Sequence, residues 1–133
     1  MAVINFIFGA YTHCSWPAAN RIVVDPTGKS FLFSLVNASG KAVRFSLRDK
    51  DRAIQLSGAI GFGAEKYEDG KATAHSNFLL MLKGAADQKD ANCANHPKNH
   101  GAPYLADDDA VCDLTFLAGQ QYFAAAEIEV FQV

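Results

Sequence analysis

The sequence has few cysteines, and their number does not fit a disulfide framework. Cys14, Cys93 and Cys112 are the three cysteines of the 133-residue chain. An odd and sparse set argues against a disulfide-stabilised secreted domain and favours a reducing compartment. The apolar N-terminus also lacks the basic n-region of a signal peptide. We therefore predict a cytoplasmic protein with three reduced thiols, of which Cys93, in a polar segment, is expected to be the most exposed.

The chain also lacks an excess of charge and a long hydrophobic run. Its formal net charge is −2, so no basic face predicts nucleic-acid binding. Apolar runs such as Asn77–Leu82 are far shorter than the ~20 residues that a membrane-spanning helix needs. Half of the residues are hydrophobic and 20% are charged, which is typical of a soluble globular protein. We expect a single domain over residues 1–133 that has no nucleic-acid partner and does not insert into a membrane.

Helical periodicity is weak, and the apolar residues recur in short runs that predict strands. Such runs lie at 4–10, 21–24, 53–56 and 77–83. The segment Asp25–Gly28 (DPTG) has the composition of a turn. The pattern is clearest in a predicted hairpin. Its first strand is Ser30–Val36, with Phe31, Phe33 and Leu35 on one face, and its loop is Asn37–Lys41. Its second strand is Ala42–Leu47, in which Val43, Phe45 and Leu47 alternate with Arg44 and Ser46. Short strands separated by turns favour a mainly β fold, a sandwich of antiparallel sheets.

The segment from about 84 to 113 is polar, and its composition predicts a long surface loop. It contains Cys93, His96, His100 and Cys112 at C-x2-H-x3-H-x11-C spacing. Thiolate and imidazole are zinc ligands, but this order is not that of a common zinc module, so ordinary loop residues are the preferred interpretation. The oxygen-bearing side chains of this region (Asp87, Asp90 and Asn92, then Asp107–Asp109 and Asp113) could bind calcium, but they lack the order of a calcium-binding loop and are interpreted as solvated surface.

Three further patterns could carry chemistry. Gly58, Gly61 and Gly63 reverse the order of a dinucleotide-binding motif, and no Lys-Ser/Thr pair follows them, so positive φ or close backbone contact explains them better. No serine lies in a G-x-S-x-G elbow. Cys14 directly follows His13, a spacing too short to indicate a catalytic pair. We therefore expect no cofactor.

The chain ends with two glutamates inside an apolar run, Glu127 and Glu129 in AEIEVFQV. In a strand, residues i and i+2 share a face and lie ~7 Å apart, close to the separation of acid and base in an inverting glycosidase. A solvent-facing strand explains the pair more simply, with Ile128 and Val130 pointing inward. Catalysis by Glu127 and Glu129 remains the alternative.

Four blocks of the sequence carry motifs of one known family. The segment FGAYTHCSW (8–16) resembles an F-G-G-Y-T…W opening, and SFLFSLVNASGK (30–41) resembles an S-F-L-F-S-L-x-N hairpin. AIQLSGAIGFGAE (53–65) is similar to a glycine-rich A-I…G-P-x-F-G-G-G stretch, and FLAGQQYFAAAEIEVFQV (116–133) is similar to a closing segment that ends in E-I-E-V-F. In this order, the four blocks resemble the TLDc domain of the oxidation-resistance proteins. Departures include Ala10 where the family has a second glycine.

The resemblance implies a sandwich of two antiparallel sheets with a few short helices, no established reaction and no cofactor. It also implies a role in resistance to oxidative damage, and contact with protein partners such as the vacuolar proton-pumping ATPase. Because family domains begin a few dozen residues earlier, it implies a compact or N-terminally truncated form. The family-motif positions in this sequence are Gly9, Tyr11, Trp16, Gly61, Gly63, Glu127 and Glu129.

The predicted function is therefore a non-enzymatic protein-interaction module linked to oxidative-stress resistance. Two alternatives stay open. One is a hydrolase that uses Glu127 and Glu129 or a metal site in the polar loop. The other is a protein whose thiols are sacrificial or sensing groups, which requires exposed cysteines of low pKa.

Overall fold

The structure, a computed structural model, describes residues 5–15, 21–56, 59–63, 67–68, 71–72, 80–83, 91–92, 103–107, 119, 122–123, 127 and 129–132. The strands are β1 (Ile7–Tyr11), β2 (Arg21–Val23), β3 (Phe31–Val36), β4 (Val43–Leu47), β5 (Ile54–Leu56), β6 (Ala59–Phe62), β7 (Tyr67–Glu68), β8 (Lys71–Ala72), β9 (Leu80–Lys83), β10 (Ala91–Asn92), β11 (Tyr104–Ala106) and β12 (Tyr122–Phe123). A 3₁₀ helix at Lys50–Arg52 precedes β5.

The strands form two main antiparallel sheets. One sheet has four strands in the order β1-β3-β4-β11, and the other has six in the order β12-β10-β9-β6-β5-β2; β7 and β8 form a separate pair. This arrangement confirms the predicted mainly β sandwich. Within the described ranges, no helix is long and apolar enough to cross a membrane.

The predicted hairpin is confirmed as β3 and β4. Leu32 pairs with Phe45, and Ser34 pairs with Val43. Asn37 organises the connecting loop, because its Nδ2 donates hydrogen bonds to Ser34 Oγ and to the Lys41 carbonyl oxygen, both at 2.8 Å. A buried amide that satisfies both the strand end and the loop backbone fixes the register of the hairpin.

The core lies between the two sheets and confirms the inward direction of Phe45 and Leu47. On β3, the inward residues are Leu32 and Ser34, whereas Leu35 on the opposite face is 55% exposed. The buried cluster draws Leu32, Phe45, Leu47, Tyr104 and Ala106 from the four-stranded sheet, and Ile54 and Phe62 from the other.

The polar segment 84–113 differs from the long loop that its composition predicts. It contains β10, which pairs with β9, and β11, which pairs with β4. Tyr104 is fully buried and Ala106 is nearly so. Three residues of strand are too few to show periodicity when polar residues surround them, so the pattern concealed β11.

Candidate functional site

A buried carboxylate, Asp25, lies in the turn between β2 and β3. The Asp25–Gly28 turn is confirmed, since the Gly28 amide donates to the Asp25 carbonyl oxygen at 3.2 Å. Thr27 donates to Oδ1 of Asp25 from its amide at 3.1 Å and from its hydroxyl at 2.7 Å. Ser30 donates to Oδ2 from its amide at 2.9 Å and from its hydroxyl at 2.7 Å. Four donors therefore hold the carboxylate at the start of β3.

The end of β1 lies against this turn, because β1 and β3 pair with Tyr11 opposite Phe31. The register brings Thr12 beside Ser30, and their hydroxyl oxygens are 2.9 Å apart. Thr12 Oγ1 also accepts a hydrogen bond from the Cys14 amide at 3.1 Å. The chain after β1 is thus held against the Asp25 turn.

Three side chains with different ligating groups meet at this point. The ligand atoms of His13, Cys14 and Asp25 all lie within 4.8 Å of one another. His13 Nε2 is 3.9 Å from Asp25 Oδ1, and the exposed fraction is 40% for the histidine side chain and 0% for the aspartate. Cys14 is a half-buried free thiol whose sulfur lies 3.9 Å from the Val24 carbonyl oxygen. We name these three residues the HCD cluster.

The surroundings determine the ionisation of two buried groups. Burial alone would raise the pKa of Asp25, but hydrogen bonds from Ser30 and Thr27 outweigh burial and hold the pKa well below its ordinary value. Burial, followed by the charges of Asp25 and Cys14, raises the pKa of Tyr104 well above its ordinary value. Asp25 is therefore ionised at neutral pH, and the Tyr104 hydroxyl stays protonated and donates to the Ala53 carbonyl oxygen at 2.8 Å.

Of the glycine-rich pattern at 58, 61 and 63, the structure describes Gly61 and Gly63, and Gly63 has the positive φ that the pattern predicts. Gly63 has φ of +99° and donates its amide to the Ala53 carbonyl oxygen at 2.8 Å. Gly9 lies opposite Phe33, and a Cβ added to Gly9 would be 2.7 Å from the tip of the Phe33 ring. Gly61 is a buried residue of β6.

Tyr11 belongs to an aromatic group on the outer face of the four-stranded sheet. Its ring stacks on Phe31 with centroids 5.2 Å apart, and the Arg44 guanidinium lies 4.1 Å from the centroid of the Phe31 ring. These contacts make Tyr11 a packing residue of the sheet. Trp16, the other aromatic of the opening motif, lies outside the described residues.

The two glutamates at the end of the chain lie in an open position. Glu127 and Glu129 are both exposed, and neither belongs to a strand. Val130 is 82% exposed and Phe131 is 76% exposed, so the prediction that Val130 points into the core is wrong. Alternation leads to a buried face only where the segment is a strand of a sheet that packs on the core, and the described residues of this segment belong to no strand.

The candidate zinc ligands of the polar segment, Cys93, His96, His100 and Cys112, which were interpreted as ordinary loop residues, lie outside the described residues. The same is true of Asp87, Asp90 and Gly58. Asp107 is described, and its Oδ1 accepts a hydrogen bond from the Ser46 hydroxyl at 2.6 Å. Asp107 therefore supports the junction between β4 and β11.

The sequence did not indicate the HCD cluster, because Asp25 is 11 residues from Cys14. One signal was present in the turn, where an aspartate followed by proline and glycine stands directly before a strong strand. Pairing that strand with 7–11 would have placed His13 and Cys14 beside the turn.

The chain matches the model of a known protein family over nearly its whole length. The TLDc domain model matches residues 4–133. The chain belongs to the TLDc domain family. No curated protein and no solved structure matches the chain significantly. TLDc domains are linked to oxidative-stress resistance, which confirms that part of the predicted function.

Proposed function

We propose that this TLDc domain is a non-enzymatic protein-interaction module in oxidative-stress resistance. The proposed contact is the C-terminal segment formed by Glu127 and Glu129–Gln132. The observation that carries this proposal is the exposure of Phe131 and Val130, which are 76% and 82% accessible. An exposed aromatic residue next to an aliphatic one provides the apolar centre that protein interfaces favour.

The charges of the segment indicate the chemistry of the partner. Glu127 and Glu129 precede Phe131 in the chain, and both are exposed. Acidic groups at the edge of an apolar contact favour association with a basic surface and disfavour an acidic one. The partner is therefore a protein with an apolar pocket bordered by lysine or arginine.

The hydrolase alternative fits the same residues less well. An acid and a base that act on one bond should line a concave pocket that holds the substrate. Glu127 and Glu129 are instead exposed, and neither lies in a strand. This position supports contact in preference to turnover.

Family resemblance suggests where the partner is to be sought. We propose a cytoplasmic location and a subunit of the vacuolar proton-pumping ATPase as the first partner to test. The location rests on the sparse, odd set of cysteines, and the choice of partner rests on the family. The basic-pocket argument applies to any other protein that the domain captures.

Comparative affinity capture tests the proposal. The experiment uses three baits: wild-type protein, the double variant Glu127→Lys/Phe131→Ala and the control double variant Asp51→Lys/Leu35→Ala. Quantitative mass spectrometry measures the proteins that each bait retains. Asp51 and Leu35 are exposed residues outside the segment. We expect the first variant to lose at least one protein that wild type and control retain. Identical retention by all three baits would reject the segment as the contact.

A further inference from the structure

The HCD cluster brings together three side-chain groups that can bind a metal ion. His13 offers imidazole, Cys14 offers thiolate and Asp25 offers carboxylate, and their ligand atoms lie within 4.8 Å of one another. These three groups are the side-chain ligands that zinc takes in proteins. We propose that the HCD cluster binds one zinc ion, with its fourth position open to solvent.

The distances require a small adjustment. Zinc bonds of ~2.0–2.3 Å in a tetrahedral site place ligand atoms roughly 3.5 Å apart. The separation of His13 Nε2 and Asp25 Oδ1, 3.9 Å, is close to that value. The widest separation, at most 4.8 Å, must shorten by about 1 Å. His13 and Cys14 follow β1 outside any strand, and the exposed imidazole can rotate to make this change.

Asp25 can release one acceptor position without leaving a buried donor unpaired. Its Oδ1 accepts from the Thr27 amide and the Thr27 hydroxyl, and its Oδ2 is occupied by Ser30. Thr27 is exposed, so its hydroxyl can turn to water when zinc takes its place on Oδ1. Ser30 would then orient the carboxylate through Oδ2, as supporting hydrogen bonds do in metal sites.

Charge favours a divalent cation at this position. The Asp25 carboxylate is fully buried, and a Cys14 thiolate would bring a second negative charge within 4.8 Å of it. Two like charges in a poorly solvated site repel each other strongly. A zinc ion neutralises both, and it deprotonates the thiol that it binds.

Solvent reaches the cluster from the side of the histidine. The His13 side chain is 40% exposed and Cys14 is half-buried. Three protein ligands with one accessible position are typical of zinc sites that keep a water or exchangeable ligand. The site is therefore accessible for metal entry and exchange, and it does not depend on the proposed protein contact.

Cobalt(II) substitution tests the site in the whole 133-residue chain. Cys93→Ser/Cys112→Ser serves as the background, so that any thiolate-to-cobalt charge-transfer band must come from Cys14. Metal-free protein is titrated with Co(II), and Zn(II) is then added in competition. Within this background, Cys14→Ser and His13→Gln test two ligands, and His75→Gln is the matched control. Urea unfolding of each metal-free variant checks that the fold is retained.

We expect a charge-transfer band that saturates at one equivalent and disappears when Zn(II) is added. Cys14→Ser should abolish the band. His13→Gln should weaken Co(II) binding by at least ~10–100-fold, which is the loss in metal affinity when a residue that only supports a ligand is replaced. His75→Gln should leave Co(II) affinity unchanged. Absence of the band in the background protein, or equal Co(II) affinity in His13→Gln, would overturn the proposal.

Discussion

The Tyr104 hydroxyl of β11 donates a hydrogen bond to the Ala53 carbonyl oxygen, which directly precedes β5, at 2.8 Å. The two residues belong to different sides of the sandwich, so this bond joins the four-stranded sheet to the six-stranded sheet. Ala53 also accepts the Gly63 amide at 2.8 Å. One carbonyl oxygen thus receives a donor from β11 and a donor from the end of β6.

Replacement of Tyr104 by phenylalanine tests this junction. The ring would keep its packing, and the Ala53 oxygen would keep Gly63 as a donor, so we expect a loss of about 1 kcal/mol in the free energy of unfolding. Tyr11→Phe is the matched control, because Tyr11 is half-buried on the outer face, and its change should stay within about 0.5 kcal/mol. Urea denaturation measures both. Equal effects would mean that the Tyr104 bond does not contribute.

The two leucines of β3 test which face of the strand lies in the core. Leu32 is fully buried and Leu35 is 55% exposed. Leu32→Ala should cost about 2–5 kcal/mol of unfolding free energy because it leaves a cavity. Leu35→Ala should cost about 0.5 kcal/mol or less. Thermal unfolding of the two variants compares them, and a larger effect at Leu35 would show that the strand is inverted.

Asp25 should give the domain a dependence of stability on pH. Its pKa is lowered in the folded state, so its contribution is fully present above the unfolded-state pKa of ~3.9 and is lost as the pH falls toward the folded-state pKa. At neutral pH, Asp25→Asn should cost about 1–3 kcal/mol, because an amide cannot accept all four hydrogen bonds.

Unfolding free energies measured by urea titration from pH 7 to pH 2 check this prediction. The difference between wild type and Asp25→Asn should narrow as the pH falls below ~4. Asp51→Asn, an exposed change, should keep wild-type stability at neutral pH. A difference for Asp25→Asn that stays constant across the whole range would show that the carboxylate charge does not stabilise the fold.

The hairpin could be predicted from sequence because its information is local. Alternation fixed the inward direction of Phe45 and Leu47, and the NASGK loop supplied the turn chemistry. Strand β11 could not be found this way, since three residues in a polar segment carry no period. Its burial depends on pairing with β4, which lies 57 residues away, counted from Tyr104 to Leu47.

The HCD cluster depends on tertiary structure in the same way. His13 and Cys14 are adjacent in sequence, and this adjacency alone does not indicate a metal site. Only the pairing of β1 with β3 brings Asp25 close to them. The C-terminal segment shows the opposite case. Its alternation is strong, yet Val130 and Phe131 are exposed, because a periodic pattern alone does not place a segment in a sheet that packs on the core.

The central claim is that the C-terminal segment acts through protein contact in resistance to oxidative stress. Survival under peroxide of source cells that lack their own copy, complemented at equal protein level, tests it most directly. We predict that wild type and Asp51→Lys/Leu35→Ala restore survival, and that Glu127→Lys/Phe131→Ala does not. Full restoration by the Glu127→Lys/Phe131→Ala variant would contradict the claim.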